Sequence, residues 1–330
     1  MVKLGKQMLY LTEEDVKKCI TIKESVELAE KGVVADGKGK VAGNKYYMNV
    51  GDFGFIKPFS GYLEGEEQAF VKTFTLFTKN YEKELPATVS HVLLFDAKTG
   101  MPVCFMEASW VTGIKTGAST AVTVKYLAKR GSRIVAIFGA GTQGRSHLAA
   151  LNEIMPIEKA IIYDKYPEKA AEFSKKMSED LNLKVVPAST KKEAVYGSDV
   201  IITVTTGSDI LVRNEWLEPG AFVARMGTYQ EIDTELILQA DKFVVDRWEY
   251  VAPRIPEIVQ LVKEERLSEA DVYASWPEIA AGKKKGREND QEIIVYTALG
   301  IWGEYAAILP HVYQKALEKG IGTMLKASQV

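Results

Sequence analysis

Between Arg133 and His147 the chain reads Arg-Ile-Val-Ala-Ile-Phe-Gly-Ala-Gly-Thr-Gln-Gly-Arg-Ser-His, and this stretch restricts the fold more than any other. A run of β-formers, Ile134 to Phe138, passes directly into Gly139, Gly141 and Gly144 and then into a helical pattern. That succession predicts strand, tight turn and helix. Each glycine of the spacing G-x-G-x-x-G has its own reason. The first permits the turn, the second lets a pyrophosphate approach the backbone, and the third lets the helix pack on the strand. Amides at the start of such a helix lack intrahelical partners, and the helix dipole favours an anion there. A second hydrophobic run, Lys159 to Tyr163, closes with Asp164, twenty residues beyond Gly144. An acid at that place accepts hydrogen bonds from an adenosine ribose and repels a 2′-phosphate, so NAD is expected, while Lys165 and Lys169 nearby keep NADP open. The structural alternative for Asp164 is a cap on the turn before Pro167.

Strands and helices alternate beyond this unit. Lys184–Pro187, Asp199–Thr206, Ala221–Met226 and Lys242–Asp246 read as buried strands, and Lys191–Tyr196 as a helix. This is the pattern of a parallel sheet with crossover helices. Ligands of such sheets bind at the carboxyl ends of the strands, so Thr205, Thr206 and Gly207 are expected to border the cofactor. Gly300, which ends the strand-like run Gln291–Gly300, is expected to approach its reactive ring. Pro253–Glu264 and Glu269–Ala281 read as amphipathic segments, and Trp302–Leu317 as a long helix kinked or broken at Pro310.

The first third of the chain is different. Thr12 and the acids after it mark one helix start, and Ile22 begins another helix that ends at Gly32. Lys45–Val50 reads as a strand and Phe53–Phe59 as a segment near a strand edge, because Pro58 lacks the N–H that a central strand needs. Gln68–Phe77 and Ala87–Phe95 are strands, the second turning at Asp96–Gly100 into Met101–Glu107 as a hairpin. Trp110–Arg130 is helical, with Lys115 in a tract of small residues that suits close approach of a backbone or a ligand, or dense packing. Lys72, flanked by Phe70, Val71 and Phe74, is a candidate for a snorkelling side chain.

Composition excludes several functions. With 42 basic and 44 acidic groups in balance and only a short lysine run at 283–285, nothing suggests a nucleic-acid or membrane surface. Two cysteines, with no Cys and His at metal spacing, argue against a structural metal and for a reducing, cytoplasmic setting. His91, His147 and His311 read as structural.

With these pieces laid out, the chain resembles the ornithine cyclodeaminase and μ-crystallin family from about Leu9 to its C-terminus. The resemblance rests on Leu93–Pro102, Val111–Ala118, Gly139-Ala-Gly-Thr142-Gln143, Glu215–Gly220, and Glu278–Gly282 with Gly286-Arg287. It implies an α/β chain: a Rossmann NAD(P)-binding domain over residues 126–302, and an α+β domain for substrate binding and homodimer formation over 1–125 with 303–330. It also implies oxidoreductase or cyclodeaminase chemistry on small amino or imino acids. Gly139, Gly141, Thr142, Gln143 and Gly144 would hold the dinucleotide.

Members usually grip the substrate carboxylate with two arginines and a lysine. The lysine aligns with Lys72, while the arginines align with Lys45 and Lys115, which keeps the charge but removes the bidentate fork. Lys57, before Pro58, adds a cation, and the lysines suit a substrate with a second carboxylate as readily as one. Cyclodeaminases also use an aspartate at the position of Tyr229, and a tyrosine, with its ordinary pKa of about 10, is a poor base at neutral pH; Glu231 or Asp233 substitutes for it only with a shift of the loop, and Asp233 reads rather as a helix cap. The expectation is therefore hydride transfer at a C–N bond. Lys45, Lys72, Lys115 and Tyr229 would contact substrate, and Lys72 would move the proton because burial among cations lowers a lysine's pKa. Ornithine cyclodeamination and μ-crystallin-like binding without turnover are the alternatives.

Overall fold

The structure is a computed structural model and describes residues 3–227 and 229–326, with Tyr81 described in its backbone only. In chain order the strands are β1 (Gln7–Leu11), β2 (Val41–Lys45), β3 (Met48–Val50), β4 (Gly54–Leu63), β5 (Gln68–Leu76), β6 (Thr88–Asp96), β7 (Pro102–Glu107), β8 (Ile134–Phe138), β9 (Lys159–Tyr163), β10 (Val185–Pro187), β11 (Val200–Thr203), β12 (Phe222–Arg225), β13 (Lys242–Val245), β14 (Ala274–Ser275), β15 (Ile294–Thr297) and β16 (Thr323–Lys326). Contacts divide the chain into two compact units. One comprises residues up to Lys115 together with those from Trp302 onward, and the other is Thr116–Ile301.

The second unit is a parallel sheet in the order β10-β9-β8-β11-β12-β15-β13-β14. Starting at β8 the chain moves outward one way through β9 to β10, then returns to place β11 on the other side of β8. This is the doubly wound Rossmann topology, and the order reverses between β8 and β11. The central strands are buried on both faces. Val135 to Phe138, Val200 to Ile202 and Phe222 to Ala224 are at most 1% exposed, which explains why they read as unbroken apolar runs. Glu269–Ala281 departs from the amphipathic reading, because it divides into a 3₁₀ turn, the two-residue β14 and the short helix Trp276–Ala280. Trp276, the first residue of that helix, is fully buried with edge contacts to the Tyr126 and Tyr296 rings.

The first unit is a mixed sheet, β16-β1-β7-β6-β5-β4-β2, with β3 also paired to β4. One face packs on the helix Gly303–Lys319, which packs in turn on the helix Ile22–Gly37. Both Thr12 and Thr21 are N-caps in capping boxes, with Asp15 and Glu24 reaching back to the cap amides.

Four local expectations change here. Lys45–Val50 is not one strand: β2 stops at Lys45 and β3 starts at Met48, with both paired to β4. Pro58 lies inside β4 and not near its edge. It faces the break between β2 and β3, where its carbonyl accepts from the Tyr46 amide (3.0 Å), so no partner strand needs its missing N–H. The helix begun at Ile22 runs through Gly32 to Gly37. Gly32 marks a helix crossing and not an end, since a Cβ there would collide with the Gly303 carbonyl. The helix Gly303–Lys319 continues unbroken past Pro310. Among the described residues no helix is long and apolar enough to cross a membrane.

Candidate functional site

In the second unit the loop after β8 is shaped by its glycines. Gly139 has φ +113°, a region closed to most side chains, and a Cβ on it would lie 2.8 Å from the Val204 carbonyl oxygen. Gly144 sits under the turn, where a Cβ would collide with the Gly139 carbonyl. Gly141 is the reverse case, because open space surrounds the place where its Cβ would be. Gly141 is also the N-cap of the helix Thr142–Asn152, with no side-chain cap and no acid in the first turn. A backbone cradle with free room, at an uncapped helix N-terminus, fits a pyrophosphate.

The loop after β11 borders the same crevice, since Val204 and Thr205 flank Gly139 and the Val204 amide donates to the Phe138 carbonyl (2.9 Å). Gly300, at φ +84°, follows the carboxyl end of β15 in the same sheet. Asp164 follows β9 directly and accepts from the amides of Ala140 (2.9 Å) and Tyr166 (3.0 Å). The capping role and the ribose role are therefore compatible, because a carboxylate has about four acceptor positions.

Beneath this crevice lies a buried polar network around Glu231, whose burial and partners the sequence does not reveal. Glu231 accepts from the hydroxyls of Thr203 and Thr205 (both 2.7 Å) and from the amides of Thr205 (2.7 Å) and Gly227 (2.9 Å). Burial raises its pKa, against the opposing charge of Arg225. Arg225 is fully buried and pairs with Glu257 (3.3 Å), and it donates to the carbonyls of Gly227 and Tyr229. Glu257 also accepts from the amides of Glu231 (2.7 Å) and Ile232 (3.1 Å). The available signal was Arg225 at the end of an otherwise apolar strand. Tyr229 is 39% exposed in this loop, and Asp233 caps the helix Thr234–Gln239. Both oxygens of Glu231 are engaged by these donors, and Asp233 is engaged as a cap.

In the first unit, sheet register builds a grid of cations and rings on the face toward the helix Gly303–Lys319. Lys45 stands opposite Phe59, and Phe59 opposite Lys72. In the next row Lys57 stands opposite Phe74, and Phe74 opposite Ser90. The Lys72 ammonium lies 5.3 Å from the Phe59 ring, 5.4 Å from Phe74 and 4.9 Å from Tyr305, and it reaches the Ser90 hydroxyl at 3.3 Å. Lys57 shares the Phe59 and Phe74 rings at 5.0 Å each. Lys45 is 6.0 Å from Phe59, and Lys115 is 4.9 Å from Tyr305. Ring faces are negative, so they hold ammonium groups that burial would otherwise penalise.

Lys72 is 1% exposed, and burial first, then Lys57 and Lys115, keep its pKa well below the ordinary lysine value. Lys115 forms a buried ion pair with Glu304, an acid that the sequence reading had not placed there. Lys72 thus does not snorkel outward. The three expected cations converge, and Lys57 joins them.

The histidines lie apart from this grid. His147 is buried with Nδ1 2.7 Å from the Gln143 carbonyl, and burial pushes its pKa down to about 4. His91 stacks on Phe105, and His311 lies 3.6 Å from Glu24. Lys283–Lys285 are exposed, as a solvated loop requires.

Known proteins are similar to this chain over nearly its whole length. An alanine dehydrogenase of Archaeoglobus fulgidus is 31% identical over 97% of this chain and 98% of its own. A Δ1-pyrroline-2-carboxylate reductase of Thermococcus litoralis, solved with NADH and L-proline, superposes with a TM-score of 0.91 at 36% identity, covering 96% of this chain and 99% of its own. An archaeal alanine dehydrogenase dimer with bound NAD also gives 0.91, at 29% identity over 97% and 99%. The model of the ornithine cyclodeaminase/mu-crystallin family matches residues 6–320, and the chain belongs to that family.

Proposed function

We propose that the protein is an NAD(P)-dependent oxidoreductase acting on the C–N bond of a small α-amino or cyclic or linear α-imino acid. The observation that carries this reading is Lys72, a buried lysine with a lowered pKa at the centre of a cation grid, in a chain that also carries a dinucleotide loop. The names of the relatives support it, since one is a dehydrogenase of alanine and another a reductase of a cyclic imino acid.

The dinucleotide is assigned to Gly139, Gly141, Thr142, Gln143 and Gly144, with Asp164 at the ribose and Thr205, Thr206, Gly207 and Gly300 bordering it. NAD is the assigned form, because Asp164 repels a 2′-phosphate. When bound, the nicotinamide supplies or accepts the hydride at the substrate's α-carbon. Lys45, Lys72 and Lys115 attract the substrate carboxylate and fix its orientation, and Tyr229 is assigned to the substrate side of its loop. In the reducing direction Lys72 gives a proton from Nζ to the substrate nitrogen as the C=N bond becomes C–N, and in the oxidising direction it takes that proton back. A lysine whose pKa is held well below its ordinary value suits this task.

The unit up to Lys115 with the chain from Trp302 onward is assigned to substrate binding and to homodimer formation. On the sheet face turned from the helices, Ser60, Val71, Leu93, Phe105 and Tyr10 form one row across five strands, with Val71 39% exposed. Two buried free thiols, Cys19 and Cys104, suit a cytoplasmic setting.

Purified protein incubated with NADH or NADPH and a panel of 2-oxo acids plus ammonia, and of cyclic imino acids, tests the activity. Oxidation of the cofactor matched one-to-one by amino acid product is expected. Ammonia release from ornithine without net cofactor change would replace this reading with cyclodeamination. Tight cofactor binding without turnover of any compound would replace it with a binding role. Light scattering of the wild type and of Val71→Asp tests the dimer, which the charge should dissociate.

A further inference from the structure

We infer that Glu231 is a positioning residue for the dinucleotide, setting the width of the crevice beside the glycine loop without touching the cofactor. The inference rests on the proposed dinucleotide site. Glu231 is fully buried, and its carboxylate joins two loops at the carboxyl ends of adjacent strands. From the loop after β11 it takes the Thr205 amide and hydroxyl, and from the loop after β12 the Gly227 amide, each at 2.7–2.9 Å. Thr203, in β11 itself, gives a further hydroxyl at 2.7 Å.

The connection to the glycine loop is direct. Thr205 follows Val204, whose carbonyl oxygen stands 2.8 Å from where a Cβ of Gly139 would be, and the Thr205 methyl is 3.5 Å from the same point. Holding Thr205 by both amide and hydroxyl therefore fixes the wall against which Gly139 turns. Gly227 is equally committed, because a Cβ there would run into the Glu231 carboxylate. Glu257 grips the Glu231 and Ile232 amides from below and is charge-balanced by Arg225, so the clamp has a rigid base. Four donors converging on one carboxylate is more than burial of one side chain in a loop requires, and all of them, two backbone amides and two threonine hydroxyls, come from the strand at the topological switch point, the loop after it, or the loop after the strand beside it.

Binding of NADH to the Glu231→Gln and Thr205→Val proteins, followed by the fluorescence of the cofactor, tests this without reliance on turnover. Glutamine offers one acceptor oxygen where glutamate offers two, so a rise in Kd of tenfold or more is expected for Glu231→Gln. A smaller rise in the same direction is expected for Thr205→Val, which removes one hydroxyl and leaves the carboxylate. In whichever direction the enzyme turns over, KM for the dinucleotide should rise while KM for the amino or imino acid stays within twofold. Glu231→Asp, which keeps the charge and both oxygens, should recover part of the affinity. Unchanged NADH affinity in a folded Glu231→Gln protein, or an equal rise in both KM values, would overturn the inference. Failure of the wild type to turn over any substrate, with the NADH affinities ordered as expected, would overturn the proposed activity and leave the role of Glu231 standing.

Discussion

The glycine loop and the lysine grid are built in opposite ways. The loop is made of backbone. Its instructions occupy one short stretch, from Ile134 to Gly144, and its shape depends on side chains that are absent. The grid is made of side chains from four separate segments, Lys45, Lys57, Lys72 and Lys115, and it exists only because β2, β4 and β5 pair in one register beneath the helix that carries Glu304 and Tyr305. A backbone site is fixed by local turn geometry, whereas a charge site needs the whole sheet to be in place and must also be protected from its own repulsion. Rings and the buried Glu304 contribute that protection here.

The largest expected effect falls on the grid. Lys72→Ala should lower kcat/KM by roughly 10²–10⁴-fold, the usual contribution of a positioned general acid or base, while NADH affinity measured by fluorescence stays unchanged. Equal loss of cofactor binding would break the division of labour. Next is Glu304→Gln, which removes the negative charge beside the buried Lys115 ammonium and should destabilise the protein by about 3–5 kcal/mol in urea denaturation. A value near zero would mean that the grid tolerates its repulsion without that acid.

The loop should divide into two behaviours. Gly144→Ala forces a methyl against the Gly139 carbonyl and should cost about 1–3 kcal/mol of stability. Gly141→Ala meets open space and should leave stability within about 0.5 kcal/mol. Its methyl would stand where a pyrophosphate approaches, so NADH affinity should fall tenfold or more.

The smallest effect is a slope. The folded-state pKa of Lys72 is lowered from 10.5, so between that lowered value and 10.5 the unfolded chain binds more protons than the folded one, and stability should rise with pH across this window. Lys72→Met removes the group. Its unfolding free energy should be less dependent on pH over the same window, and higher than wild type on the acid side of it, as read from urea titrations at several pH values.

What the sequence discloses follows the same division. The strand–glycine–helix unit and the parallel sheet after it were legible because turn glycines and doubly buried strands leave local signatures. The β6–β7 hairpin was legible through Asp96–Gly100 for the same reason. Lys45, Lys72 and Lys115 could be grouped only through the family resemblance, since no periodicity links positions so far apart. Glu304 was not singled out, and Glu231 was named only as a stand-in for the aspartate absent at position 229: an acid inside a helical pattern and an acid in a polar loop both look solvated until tertiary packing buries them. Pro58 and Gly32 were misread because their residue types describe what a backbone can do. The neighbouring element decides what they do here, a gap between strands for one and a crossing helix for the other.

That helix crossing bears on how the grid could be retuned. Gly32 packs on Gly303, and a Cβ on Gly32 would come within 2.7 Å of the Glu304 Cα. The residue pressed upon is therefore the one that neutralises Lys115, with Tyr305 next in line. A single methyl at position 32 acts as a wedge, sliding the acid and the ring relative to the ammonium groups they hold. A site with no chemistry of its own thereby becomes a tuning point for the charge of the lysine grid, open to change without altering any of the lysines.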